Sequence, residues 1–308
     1  MPRWMRQLAS VLISLILIFV VLLVVAAYQF ASTALTSAPI ESRSQQVDLF
    51  ESSPLATRYP NVEYQNITLT TTDNLRIYTL YHPSTNGASV ILLHGYRSNH
   101  SMMFPIANML VQEGYGVILF DFRGHGLSEG QEVTFGKKEV LDVEAAYQYL
   151  SSRPEIEKDR IGLFGNSMGA STAILYAAQN PEIRAVIVQS PFASMRDVIW
   201  VNTRRSLPTP PVLLAPLVEI WVQFRLKATI SSFSPINKVQ EISPVPLFIM
   251  MGGQDIMTDP AGGQKLYDAA GESKELWYED SIGHLEFQKE FPDLFEQKVL
   301  RFFEVNLK

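Results

Sequence analysis

The 308-residue chain contains no cysteine. That excludes a disulfide framework, a thiolate metal site and a cysteine nucleophile. Basic residues are in the minority: 25 Lys and Arg stand against 31 Asp and Glu, a net charge of −6. No basic face is implied, which argues against nucleic acid as a partner. Internal repeats and low-complexity runs are missing as well, leaving one large domain as the reading of this length. The longest absence is of charge itself. No charged residue occurs between Arg6 and Glu41. Within that gap, Leu8 to Ala27 is almost wholly apolar, and as a helix it is ~30 Å long, the thickness of a bilayer core. Arg3 and Arg6 precede it. The positive-inside bias then puts the N-terminus in the cytoplasm and everything downstream outside. Residues 1–30 are expected to be a single-pass membrane anchor. The alternative is a signal peptide whose removal secretes the rest, since "VVA", "STA" and "TSA" supply small residues. The apolar run exceeds the ~7–15 residues usual for a signal peptide, which favours the anchor.

Residues 31–61 read as a linker, because Ser37 to Pro60 is polar, holds three prolines and keeps no period. The folded domain is expected over 62–308. Two β-rich runs around "TTDN" read as a hairpin. Short apolar runs then alternate with amphipathic ones: "ASVILLHG", "YGVILF", "RIGLFG", "IRAVIVQSPF", "VPLFIMMGG" and "KELWYED" as strands, with helical spacing between most of them and after the last. That alternation predicts an α/β domain with a mostly parallel sheet and helices on both faces. The loops after the strands then line one edge, where ligands bind.

"RIGLFGNSMGAST" places Ser167 between Gly165 and Gly169, after a buried strand and before a helix. Gly-x-Ser-x-Gly in that context predicts a tight elbow that lifts the serine clear of the sheet. A bare helix cap is the plainer reading of such a serine. A serine hydroxyl needs a base, and the order expected after an elbow is Ser, Asp or Glu, His. Of the five histidines, His284 in "DSIGHLEF" is the one downstream of the serine. Asp255 and Asp259 are the candidates for the acid. Asp255 follows its strand closely, whereas Asp259 before Pro260 reads as a helix N-cap, so Asp255 is favoured. The backbone N–H groups of Met168 and of Tyr96, in "LLHGYRSNH", are the expected oxyanion donors. His94 reads as a residue that shapes this loop, and Arg123 in "DFRGHGLSEG" as a structural one.

In this order, "HGYRSN", "DFRGHGLSEG", "GNSMG", "GGQD" and "GH" resemble the α/β-hydrolase superfamily, in its branch of monoacylglycerol-lipase-like and serine-aminopeptidase-like serine hydrolases. The resemblance covers roughly Val62 to Leu307. It implies an α/β-hydrolase fold, with Ser167 as nucleophile, Asp255 as acid, His284 as base, and Tyr96 and Met168 at the oxyanion. It implies no cofactor and no metal. The residues after "IRAVIVQSPF", about 193–240, are longer than one crossover helix needs and are expected to form a helical cap. There Pro216 is expected to start a helix whose Trp221 and Phe224 line an acyl pocket, the bland alternative being plain packing. The resulting expectation is a membrane-anchored serine hydrolase acting on small-molecule carboxylic esters, with small acyl groups favoured over long ones. A peptidase or amidase with the same triad and a non-catalytic binding module are the rivals.

Overall fold

A computed structural model describes residues 2–38, 53–206 and 210–308. The chain opens with α1 (Arg3–Leu35). The residues from Leu8 to Tyr28 leave their large apolar side chains mostly exposed, while Ala27, Ala31 and Leu35 are buried. That i, i+4, i+8 stripe lets the last turns of the helix lie on the domain. The first five residues of the linker expected over 31–61 therefore belong to α1, and the residues that follow are not loose. After α1 the chain pairs like a strand: Ser37 N–H donates to the Gln131 carbonyl at 3.1 Å, Val133 N–H to the Leu35 carbonyl at 2.9 Å, and Thr36 bridges Glu132. Residues 39–52 of the linker lie outside the described residues. Its end is a short helix, α2 (Pro54–Arg58), capped by Ser53. Leu55 of α2 is fully buried, and Arg58 pairs with Asp293 and Glu296, so the folded domain begins before Val62.

The domain continues as β1 (Gln65–Thr70), β2 (Arg76–His82), β3 (Ser89–Leu93), α3 (Phe104–Gln112), β4 (Gly116–Phe120), α4 (Val140–Ser151), β5 (Ile161–Asn166), α5 (Met168–Ala177) and β6 (Ala185–Gln189). Then come α6 (Met195–Ser206), α7 (Pro211–Leu226), β7 (Leu247–Gly252), α8 (Ala261–Ala269), β8 (Lys274–Glu279), α9 (Phe287–Glu290) and α10 (Pro292–Asn306). The eight strands form one sheet in the order β1-β2-β4-β3-β5-β6-β7-β8. The β1–β2 hairpin and the β2–β4 pair are antiparallel, and every later pair is parallel. Alternate residues of the central strands feed two apolar layers. Ile91, Leu93, Ile118 and Leu163 enter one, and Val90, Leu92, Val117 and Phe164 the other. A sheet covered on both faces is why these strands read as unbroken apolar runs.

Two details of the sequence reading need correction. The final helix is broken in two, because Pro292 cannot donate the N–H that would carry α9 into α10. In the cap, α7 starts at Pro211 and Pro216 lies inside it. Pro211 already supplies a proline at the first helical position, where its missing N–H is not needed.

Candidate active site

The elbow comes first. Ser167 joins β5 to α5 with φ 53° and ψ −113°, a conformation that side chains rarely adopt. Its N–H donates to the Gln189 carbonyl on β6 at 2.9 Å. The flanking glycines make this turn sterically feasible. A methyl at Gly169 would lie 2.2 Å from the Leu93 carbonyl oxygen, and one at Gly165 would lie 2.5 Å from the Gly169 backbone. Helix, elbow and β3 are thus pressed together at backbone contact, and the serine projects at the sheet edge into a cavity.

Asp255 and His284 follow the ends of neighbouring strands. β7 and β8 run in parallel register to Gly252 and Glu279. Beyond them the loops are clamped: Gly253 N–H donates to the Glu279 carbonyl, and Gln254 N–H to the Ile282 carbonyl, both at 2.8 Å. His284 Nδ1 consequently lies 2.7 Å from Asp255 Oδ2. A carboxylate accepts only, so Nδ1 carries the proton and Nε2 is left as the acceptor. Asp255 is buried and fully engaged. Its Oδ1 accepts from the N–H groups of Met257 and Thr258 at 2.8 and 2.9 Å, and its Oδ2 accepts the Thr258 hydroxyl at 2.8 Å. Burial works against its charge, but the His284 and Thr258 hydrogen bonds outweigh it and hold the carboxyl below the ordinary range. Asp259 instead accepts the Ala261 N–H at 3.1 Å and pairs with Lys265 at 2.8 Å, the work of a helix cap.

The loop after β3 reaches the elbow through a missing side chain. A methyl at Gly95 would stand 3.4 Å from Ser167 Cβ. His94 sets the direction of the next peptide. Its Nε2 accepts the Phe122 N–H at 2.9 Å, which leaves Nδ1 to donate to the Gly95 carbonyl at 2.7 Å. Burial, helped by the neighbouring His125, lowers His94 to about 3 and keeps this imidazole neutral. Gly95 C=O and Tyr96 N–H belong to one planar unit, so anchoring the first aims the second. The sequence reading gave His94 a shaping role without this link. Arg123 is equally structural but less local than expected. It is buried, with Nη2 at 2.7 Å from Asp142 and Nη1 at 2.7 Å from Asp73 on the hairpin turn. Of the other histidines, His100 pairs with buried Asp121 at 2.7 Å, and His82 and His125 bind nearby carbonyls.

Ser167, Met168, Tyr96 and His284 line one cavity of about 700 Å³. Its walls are mainly apolar, with Phe135, Phe192, Met195 and Ile199 from the domain and cap. Trp221 and Phe224 do not line it. The Trp221 ring packs on Tyr28 of α1 at 5.1 Å and on Phe224 at 5.4 Å, and Phe224 is 71% exposed. α7 turns Val218 and Val222 to the cavity instead. A helix apolar on every side has no stripe to say which row faces in. Sequence reasoning also missed α1 as a wall: Phe30, Ala31, Thr33 and Ala34 line the cavity. Among the described residues no cluster of three His, Asp or Glu groups could hold a metal ion.

A family profile described as serine aminopeptidase, S33, matches residues 84–232. An esterase of Pyrococcus furiosus has a similar structure, with a TM-score of 0.70 and 28% identity, covering 89% of this chain and 99% of its own. An uncharacterised protein of Mycobacterium tuberculosis is 27% identical over 239 residues, 77% of this chain and 76% of that one. The α/β-hydrolase domain-containing protein WAV2 of Arabidopsis thaliana is 25% identical, covering 72% of this chain and 71% of its own.

Proposed function

The chain belongs to the α/β-hydrolase superfamily, and from that premise we propose that it is a membrane-anchored serine hydrolase that cleaves carboxylic esters through an acyl-enzyme on Ser167. The observation that carries this reading is that an elbow serine and a histidine oriented by a buried carboxylate line one cavity. In the proposed sequence Ser167 Oγ attacks the ester carbonyl carbon while His284 Nε2 takes the hydroxyl proton. Asp255 holds the imidazole tautomer and stabilises its charge without accepting the proton. The N–H groups of Met168 and Tyr96 receive the developing oxyanion, each worth ~2.7–4 kcal/mol in such sites. His284 returns the proton to the departing alcohol. It then draws one from water, whose oxygen attacks the acyl carbon, and passes it to Ser167 Oγ as the acyl–oxygen bond breaks and the acid leaves.

The lining favours esters over peptides with a free N-terminus. Among the described residues no carboxylate faces the cavity, while Arg97 does. An α-ammonium group brought in there would lose water and gain no charged partner. The test is labelling by a fluorophosphonate together with turnover of p-nitrophenyl esters. Both are expected in the native protein and absent in Ser167→Ala. Faster cleavage of aminoacyl anilides than of esters would replace the esterase reading by a peptidase one.

Retention of α1 is supported by its place in the cavity wall. Cleavage after "STA" or "TSA" would strip Phe30, Ala31, Thr33 and Ala34 from the site. With Arg3 and Arg6 on the cytoplasmic side, the catalytic domain is expected outside. Protease added to intact cells or spheroplasts should digest it, and protection would reverse the topology.

A further inference from the structure

We propose, resting on the serine-hydrolase reading above, that the cavity sits at the bilayer surface and takes bilayer-resident esters with long acyl chains. Three observations converge. First, one helix both spans and lines. The continuous apolar run ends near Ala27, and the cavity residues Phe30 to Ala34 follow it by roughly 4–10 Å at the α-helical rise. The headgroup zone outside the ~30 Å hydrocarbon core is about 5–7 Å deep on each side, so Phe30 and Ala31 fall within it and Thr33 and Ala34 at its outer limit. Second, Tyr28, Trp221 and Phe224 form a line of touching rings running from α1 onto α7 at the same level. Aromatic side chains of this kind collect where lipid meets water.

Third, α7 is two-sided in a way its composition hides. Its row Leu214, Val218, Val222 is buried, with Val218 and Val222 facing the cavity. The opposite row leaves Val212, Ile220 and Phe224 between 62% and 71% exposed. That exposed row adjoins α1 through Trp221 and Tyr28, so it extends the lipid-facing surface of the anchor. A bilayer is therefore the occupant that covers it, and only α1 and the thickness of α7 separate acyl chains in the bilayer from the cavity. A cavity of about 700 Å³ with mainly apolar walls is larger than a small acyl group fills, which replaces the expectation of small acyl esters.

The experiment uses the full chain in phosphatidylcholine vesicles and two probes, a methyl and a hexadecyl fluorophosphonate, in which Ser167 Oγ bonds phosphorus and fluoride departs. The hexadecyl probe is expected to label at least about tenfold faster, since only a few buried methylenes give that ratio. The exposed pair Ile220→Glu with Phe224→Glu should remove most of that advantage and leave the methyl probe unchanged. Equal rates for the two probes in the native protein, or equal slowing of both in the variant, would overturn the proposal. Labelling by neither probe would instead remove the serine-hydrolase reading, and this proposal with it.

Discussion

The Tyr96 hydroxyl donates to the Ala34 carbonyl at 2.9 Å, across 62 residues of sequence. One residue thus ties the end of α1 to the loop that meets the elbow. Its backbone and side chain carry separate duties, because the proposed oxyanion donor is the N–H and the tie is the hydroxyl.

That separation makes Tyr96→Phe informative. Loss of one hydrogen bond should lower stability by ~0.5–1.5 kcal/mol, a few degrees in Tm for a domain of this size. Turnover of a short soluble ester should stay within about threefold, since the N–H survives and a lost oxyanion donor would cost at least ~10²-fold. A fall of that larger size would place the hydroxyl itself at the reacting atoms.

His94 should act on rate through the Gly95–Tyr96 peptide and on stability through its proton. His94→Ala frees the Gly95 carbonyl, so kcat should fall by up to the ~10²–10³-fold seen when one oxyanion donor is removed. KM should change little. The proton works as follows. His94 is held at about 3 when folded, while an unfolded histidine titrates near ~6.5. Below ~6.5 the unfolded chain binds a proton that the folded chain refuses. Stability is therefore complete above ~6.5 and declines as pH falls towards about 3, with a limiting slope of ~1.4 kcal/mol per pH unit from this one group. Denaturant melts between pH 7 and 5 should show a shallower slope in His94→Ala, and an unchanged slope would deny the buried neutral imidazole.

The sheet, the elbow and the order of Ser167, Asp255 and His284 were legible because each is a local matter. Buried strands are short apolar runs, and the glycines at 165 and 169 announce a backbone contact that side chains forbid. That His284 pairs with Asp255 and not with Asp259 was legible for the same reason, since distance from a strand end and a following proline are written in order. What escaped was tertiary. Residues from Ala31 onward read as a tether, and only the packing of α1 on α7 and the pairing of Leu35 to Ser37 with residues 131–133 make them part of the domain. The facing of Trp221 was hidden because the ring it packs on, Tyr28, lies some 190 residues earlier, and Phe224 follows Trp221 outward.

The two aspartates should separate cleanly. Asp255→Asn leaves a side chain of the same size but no longer dictates which imidazole nitrogen carries the proton, so kcat should fall by ~10⁴-fold. Asp259→Asn keeps a good helix cap and loses one partly exposed ion pair, so activity should stay within about twofold and stability within ~1 kcal/mol. Comparable losses in the two variants would move the orienting role away from Asp255.

Gly169 and Gly262 form the sharpest test of the elbow, because the same substitution should have opposite signs at the two sites. Both lie in helices, where alanine is intrinsically better than glycine by ~1 kcal/mol. At Gly262 the nearest atom to an added methyl is 3.5 Å away, ordinary contact, so Gly262→Ala should stabilise by a few tenths to ~1 kcal/mol. At Gly169 the methyl would meet the Leu93 and His94 carbonyl oxygens at 2.2 and 2.6 Å. Those atoms belong to the central strand β3 and to the loop carrying Tyr96, and neither is a flexible side-chain end. Either α5 retreats, taking Ser167 with it, or β3 shifts and moves the proposed oxyanion donor. Gly169→Ala should therefore lose ~3 kcal/mol or more. The folded fraction that remains should label with a fluorophosphonate far more slowly than the native protein. If Gly169→Ala melts at or above the native temperature and labels normally, helix and strand are not pressed together at this point, and the geometry assigned to the elbow is wrong.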